Sequence, residues 1–210
     1  MHDVVIVGGG GHAKVVASVL SSLPGYRILG YSDLEDRGLL RGDPYLGNDE
    51  WLANFARKSP GLHLVIGVGQ VGLGMKRSEL WRTFQTCGVC FPTIVSLHAT
   101  MSREARCGEA CTVMSGAVVN PDAAAGTGVI INTNCTIEHD VILHDWVHVA
   151  SGATVCGGVE VGTYSMIGAG ATLIEGVKVP PCSIIGAGAT VIRSIAEPGV
   201  YAGSPARRIR

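Results

Sequence analysis

From Ala105 to Ser194 the chain divides, without insertion, into consecutive six-residue blocks whose third residue is nearly always aliphatic. These third positions run Cys107, Val113, Val119, Ala125, Ile131, Ile137, Leu143, Val149, Val155, Val161, Ile167, Leu173, Val179, Ile185 and Val191. First positions are small or aliphatic, and Gly, Asn, Asp and Ser crowd the block ends. One deeply buried β-branched position and a turn-rich end predict one short strand and one corner per block. Three blocks close a triangular coil, so residues eighteen apart stack: Ile131, Val149, Ile167 and Ile185 in one column, Ile137, Val155, Leu173 and Val191 in another. Each coil buries its inner face only when neighbouring coils cover it. A sandwich would show period-two strands at irregular spacing, and a helix a period of about 3.6; neither fits this register. The pattern predicts a parallel β-helix, whose hand the spacing leaves open.

Upstream, apolar runs alternate with amphipathic ones. Val4–Val7, Ile28–Tyr31 and Leu64–Gly67 read as strands; Ala13–Ser22, Glu50–Lys58 and a segment from Leu73 to Thr86 read as helices. Alternation of this kind predicts a small parallel α/β domain. The expected boundaries are a Rossmann-like domain over 1–92 and a coil with a C-terminal tail over 93–210.

Gly8, Gly10 and Ala13 satisfy G-x-G-x-x-A between the first strand and the first helix, and Asp33 follows about twenty residues on. Glycines let backbone N–H groups approach a phosphate, and a helix N-terminus favours the anion. The loop is open to three readings: a nucleotide or nucleotide-sugar site, a nicotinamide dinucleotide site, or a bare strand-to-helix turn. A domain of about 90 residues is roughly half a full dinucleotide fold, which weakens the nicotinamide reading.

Composition narrows the field. Hydrophobic residues make up 47% and charged residues 16%, as in a well-buried globular protein, and the 30 glycines reflect corners. A net charge of −1 argues against a nucleic-acid surface. No apolar run reaches the roughly 18 residues a membrane span needs, and Met1-His2-Asp3-Val4 lacks a basic leader, so neither membrane nor signal peptide is expected. Cys87 and Cys90 form a CxxC with no second half, so no metal is expected there. Cys107, Cys111 and Cys135 fall in buried-type slots, as structural thiols of a cytoplasmic protein would.

His139, His144 and His148 crowd one short window. His139 is fifth in its block and Asp140 sixth, at a corner where side chains point outward. A histidine beside a carboxylate has the makings of a general base. Glu138 competes with Asp140 as the orienting group, and a solvated polar corner is the alternative. A zinc hydratase would need three clustered histidines, yet these occupy the fifth, fourth and second positions of their blocks.

The coil register resembles that of the hexapeptide-repeat acyltransferases, which implies left-handed coils and a homotrimer. Gly9-Gly10-Gly11-His12-Ala13-Lys14-Val15-Val16, Asp33, Ile131-Asn132-Thr133, Ile137-Glu138-His139-Asp140 and the tail Val200-Tyr201-Ala202-Gly203-Ser204-Pro205-Ala206 occur in order. Together they are similar to the bacterial sugar acetyltransferases that include sialic acid O-acetyltransferases and nucleotide-linked 4-amino-sugar N-acetyltransferases. The resemblance implies acetyl-CoA as co-substrate, a nucleotide-linked amino sugar as acceptor, a role in surface-glycan synthesis, and active sites between subunits. It implies His139 as base, paired with Asp140 where the family usually has Glu. Gly10, His12 and Asp33 would hold the nucleotide end, and Asn132 and His148 would line the reacting centre. Gly157 would present its N–H to the thioester carbonyl, with Ala169 and Ala187 along the pantetheine arm. The leading expectation is N-acetylation of a nucleotide-activated 4-amino-4,6-dideoxy sugar; the alternative is O-acetylation of sialic acid. The coil holds only three basic residues after Ala105, at Arg106, Lys178 and Arg193, so the tail's Arg207, Arg208 and Arg210 are candidates for the cofactor phosphates, or simply a solvated terminus.

Overall fold

The computed structural model describes residues 1–210. The chain forms two compact units: one comprises Met1–Gly69 and Lys76–Leu97, the other Gln70–Met75 and His98–Arg210.

The first unit is built on β1 (His2–Val7), α1 (Gly11–Ser22), β2 (Tyr26–Ser32), β3 (Tyr45–Gly47), α2 (Asp49–Arg57), β4 (His63–Ile66) and α3 (Met75–Gln85). Its strands form one parallel sheet in the order β3-β2-β1-β4. Val4, Val5 and Ile6 are completely buried, as suits a central parallel strand covered on both faces. On α1, Ala13, Val16, Ala17 and Leu20 turn inward at helical spacing. The Asn48 side chain accepts the Trp51 N–H at 3.0 Å and so caps α2, whose first turn carries Asp49 and Glu50. The strand β3 was not expected: three half-buried residues leave too short a pattern to read.

The second unit is a three-sided parallel coil. Every block contributes a two-residue strand at its second and third positions, from Arg106–Cys107 to Thr190–Val191. Strands eighteen residues apart pair in register: Ile131 on Val149, Val149 on Ile167 and Ile167 on Ile185 on one face. Ile137, Val155, Leu173 and Val191 stack likewise on another. The coil begins before the expected register, because Thr100–Met101 already pairs with Val118–Val119. At the far end Val200–Ala202 pairs with Ile184–Ile185 and then, antiparallel, with Arg207–Arg208.

The block-end residues have one conformational reason. From Ala110 to Gly188 every sixth position has a positive φ, whether Asp140 at 60°, Asn134 at 56° or Gly128 at 65°. Gly, Asn and Asp tolerate that left-handed region best. Trp146 adopts it too, at 61°, and its buried ring lies against Gly128, where an added Cβ would meet Trp146 Cζ3 at 2.3 Å. Gly128→Ala therefore combines a left-handed strain with overpacking and is expected to cost roughly 2–4 kcal/mol, measured by urea denaturation.

All seven cysteines are free thiols. Cys111 and Cys135 are buried, and burial pushes the Cys135 thiol up to about 11. Cys107 departs from expectation: it is only half-buried, because Arg106–Cys107 is the outermost strand of its face and nothing stacks beyond it.

Candidate active site

The His139–Asp140 pair stands on the edge where the Thr136–Ile137 strand turns toward Ile142–Leu143. The left-handed backbone at Asp140 folds its carboxylate back onto the preceding ring, so that His139 Nδ1 meets Asp140 Oδ2 at 2.8 Å. Both side chains are about two-thirds exposed (65% and 66%). The choice left open between two carboxylates is decided by partners: Glu138 Oε2 instead accepts a hydrogen bond from Asn120 Nδ2 at 2.9 Å. The hydrogen bond to Asp140 holds the imidazole above its ordinary pKa, assisted by the charges of Asp140, Glu138 and Glu175 and opposed by slight desolvation.

Eighteen residues on, Gly157 is the floor beneath this ring. A Cβ there would lie 2.7 Å from both Cε1 and Nε2 of His139. Gly157 is buried, and no backbone hydrogen bond uses its N–H. Nε2, the nitrogen left free by Asp140, thus lies against a residue whose N–H the backbone does not use, a pairing of the kind that proton abstraction and oxyanion stabilisation require.

Asn132 and His148 form a second constellation. Asn132 Nδ2 lies 3.2 Å from His148 Nε2, and His148 Nδ1 lies 3.2 Å from the Gln70 carbonyl. His148 is on an outward strand position yet buried. Asn132 opens the corner after Ile130–Ile131, whereas His139 stands on the corner after Thr136–Ile137, so one strand of the prism lies between them. Ala169 and Ala187 are exposed on the same edge as Thr133, at the equivalent corners of later coils. His144 goes elsewhere, its Nε2 3.0 Å from Glu160 Oε1, and no group of three or more His, Cys, Asp or Glu side chains forms a metal-ligand set in the chain.

At the glycine loop, α1 starts at an N-cap, Gly10, that supplies no side-chain cap, leaving the first N–H groups of the helix open. Asp33 ties the loop to the end of β2: its Oδ2 accepts the Gly9 N–H at 2.8 Å and Arg37 Nε at 2.8 Å, and its Oδ1 the Leu34 N–H at 2.7 Å. Burial raises the carboxyl's pKa, but these donors outweigh it and leave the group below the usual range. Gly9 is required by close approach, since a Cβ would strike the Tyr31 ring at 2.4 Å. The adjoining cavity of about 310 Å³ is lined by Gly9, Gly10, Gly11, Lys14, Tyr31, Arg37, Leu39 and Leu40.

His12 does not line that cavity. Its side chain packs on Gly69, and Nε2 is buried without a partner. Burial, and secondarily the charge of Arg77, pulls the imidazole down to about 4, so at neutral pH it is an uncharged hydrogen-bonding group. The cations beside the loop are Lys14 and Arg37, which the motif reading passed over. Lys14 falls one turn into α1 and Arg37 four residues after Asp33, spacings that do signal a shared face and a carboxylate partner.

The fold is that of an acetyltransferase built on a left-handed hexapeptide-repeat coil. Residues 3–74 match the family model described as the PglD N-terminal domain. The acetyltransferase domain of PglB from Neisseria gonorrhoeae is 30% identical, covers 100% of both chains and superposes with a TM-score of 0.92. PerB from Caulobacter crescentus, solved with CoA and GDP-perosamine, is 32% identical over 99% of this chain and 97% of its own, with a TM-score of 0.91. WeeI from Acinetobacter baumannii shares the fold at 20% identity, with 100% of both chains covered and a TM-score of 0.84. No curated protein sequence matches the chain. The chain belongs to the bacterial hexapeptide-repeat sugar acetyltransferases.

Proposed function

We propose that the protein transfers the acetyl group of acetyl-CoA to the 4-amino group of a nucleotide-activated amino-dideoxy sugar, for surface-glycan synthesis. The observation that carries this reading is the oriented His139–Asp140 pair packed on Gly157. The PglB acetyltransferase domain has been solved with acetyl-CoA, and PerB with a GDP-linked sugar, which supports both partners. The amine lone pair attacks the thioester carbon while His139 Nε2 takes the nitrogen's proton, Asp140 stabilises the imidazolium, and CoA leaves as its thiolate. Gly157 N–H steadies the oxyanion. The open N-terminus of α1, with Lys14 and Arg37, suits the sugar's diphosphate; Gly10 and Asp33 shape that loop, and His12 contributes an uncharged donor or acceptor.

A homotrimer would complete such a site. Asn132 and His148 stand on a different edge of the prism from His139, so a neighbouring copy would bring its Asn132, His148, Ala169 and Ala187 to the groove holding the acetyl-CoA arm. No helix of the chain is long and apolar enough to cross a membrane. The free thiols suit the cytoplasm.

The test is release of free CoA thiol from acetyl-CoA with UDP-, GDP- and dTDP-linked 4-amino sugars. Turnover with at least one is expected; silence across the panel with turnover on sialic acid would make the enzyme an O-acetyltransferase. Direct attack also predicts that Cys156→Ser keeps activity within about twofold. Burial, with the charges of Glu175 and Glu138, raises the Cys156 thiol and leaves it a poor nucleophile. Loss of turnover together with a trapped acetyl-enzyme in the wild type would overturn direct attack.

A further inference from the structure

Two of the free thiols share one corner of the coil. Cys107 ends the strand Arg106–Cys107, and Cys111 opens the following block, with Gly108, Glu109 and Ala110 between them. The left-handed backbone at Ala110, φ 57°, turns the chain at that corner, and a side-chain hydrogen bond joins the two thiols. Their access differs. Cys111 is buried, its Sγ donating to the Gly126 carbonyl at 2.9 Å. Cys107 is half-buried on the outermost strand of its face. The single S–H of Cys111 serves either the carbonyl or the Cys107 sulfur, by rotation about one bond.

The surroundings of Cys107 favour reaction. Ala125 stacks on it, where every other third position from Val113 to Val191 is Val, Ile or Leu, so the sulfur rests on the smallest side chain of that series. The hydrogen bond from Cys111 stabilises a thiolate and holds the Cys107 thiol below its ordinary pKa, against the opposing effect of burial. Cys135 and Cys156 move the other way under burial, Cys135 to about 11. A reachable thiol of raised acidity, touching a second thiol that solvent does not reach, is the arrangement of an attacking and a resolving cysteine.

We propose that Cys107 and Cys111 are a redox pair that closes to a disulfide when the protein meets hydrogen peroxide. The Cys107 thiolate attacks one peroxide oxygen, the O–O bond breaks, and hydroxide leaves and takes up the proton that the thiol released. The sulfenic acid so formed is attacked by the Cys111 sulfur: the S–S bond forms, the S–O bond breaks, and the hydroxyl departs with the Cys111 proton as water. Two thiols and one peroxide thus give one disulfide and two waters. A thiol reductant reopens the bridge by exchange, so in a reducing compartment the dithiol is the resting form. The pair sits on the edge between Arg106–Cys107 and Thr112–Val113, not on the edge of His139, and acetyl transfer plays no part in it.

The experiment treats the full chain with hydrogen peroxide and follows intact mass and non-reducing peptide maps. The wild type is expected to lose about 2 Da, the two thiol hydrogens, with the link mapped to Cys107 and Cys111 and reversed by dithiothreitol. Cys107→Ser should abolish that loss. Cys111→Ser should stop at the sulfenic acid, which dimedone then traps on Cys107. The wild-type map decides the matter by itself should the buried Cys111→Ser variant fail to fold. The proposal is overturned if Cys107 and Cys111 both remain open to alkylation after denaturation while the exposed Cys90 is oxidised. A link mapped to Cys87 and Cys90, or one between two chains, would overturn it as well.

Discussion

Replacing His139 by alanine is expected to lower kcat by on the order of 10²-fold, the usual contribution of a positioned base. The side chain is about two-thirds exposed and is held by Asp140 alone, so its removal opens no cavity and leaves no buried group unpaired. The thermal midpoint should stay within a degree or two of the wild type, which separates lost chemistry from lost fold. Circular dichroism melts run beside steady-state thiol release check both halves. Unchanged turnover with an unchanged melt would remove the imidazole from the reaction.

Gly157→Ala is expected to reach a similar loss by another route. Its Cβ would fall 2.7 Å from two atoms of the His139 ring, too close for either to stay. The ring is the mobile end of an exposed side chain, so it moves and the backbone does not; Gly157 itself lacks the positive φ that would make alanine a strain. A displacement of about 1 Å can cost around 10²-fold in rate. The Gly157→Ala and His139→Ala effects should therefore not add: the double variant is expected to lose about what either single variant loses. Full additivity would mean that the glycine acts independently of the imidazole.

The coil could be read from sequence because two local constraints write the same period. An inward third position demands an aliphatic side chain, and a left-handed sixth position favours Gly, Asn or Asp, so Val149 and Gly152, or Ile137 and Asp140, announce a strand and its corner. Trp146 breaks the second rule. It takes the left-handed backbone of its corner, and its ring fills the space that Gly128 leaves, a coupling of two coils that no local pattern displays. The partner of His139 lay outside the pattern for the same kind of reason: Glu138 and Asp140 flank His139 alike in sequence, and only the distant Asn120 shows which is already engaged. At the glycine loop the motif marks the strand-to-helix turn, but the environment of His12 is tertiary. Its burial against Gly69 keeps the imidazole uncharged at neutral pH, and the cations beside the loop are Lys14 and Arg37.

The pH dependence of kcat tests the role of the His139–Asp140 pair most directly. A base must be unprotonated, so kcat should rise with pH through a pKa held above the ordinary imidazole value, chiefly by the hydrogen bond to Asp140. Asp140→Asn removes that cause and should move the rising limb to lower pH, while a limb set by the substrate amine would not move. If the limb stays in place in Asp140→Asn and persists in His139→Ala, the titrating group is not this imidazole, and the account of the site is wrong.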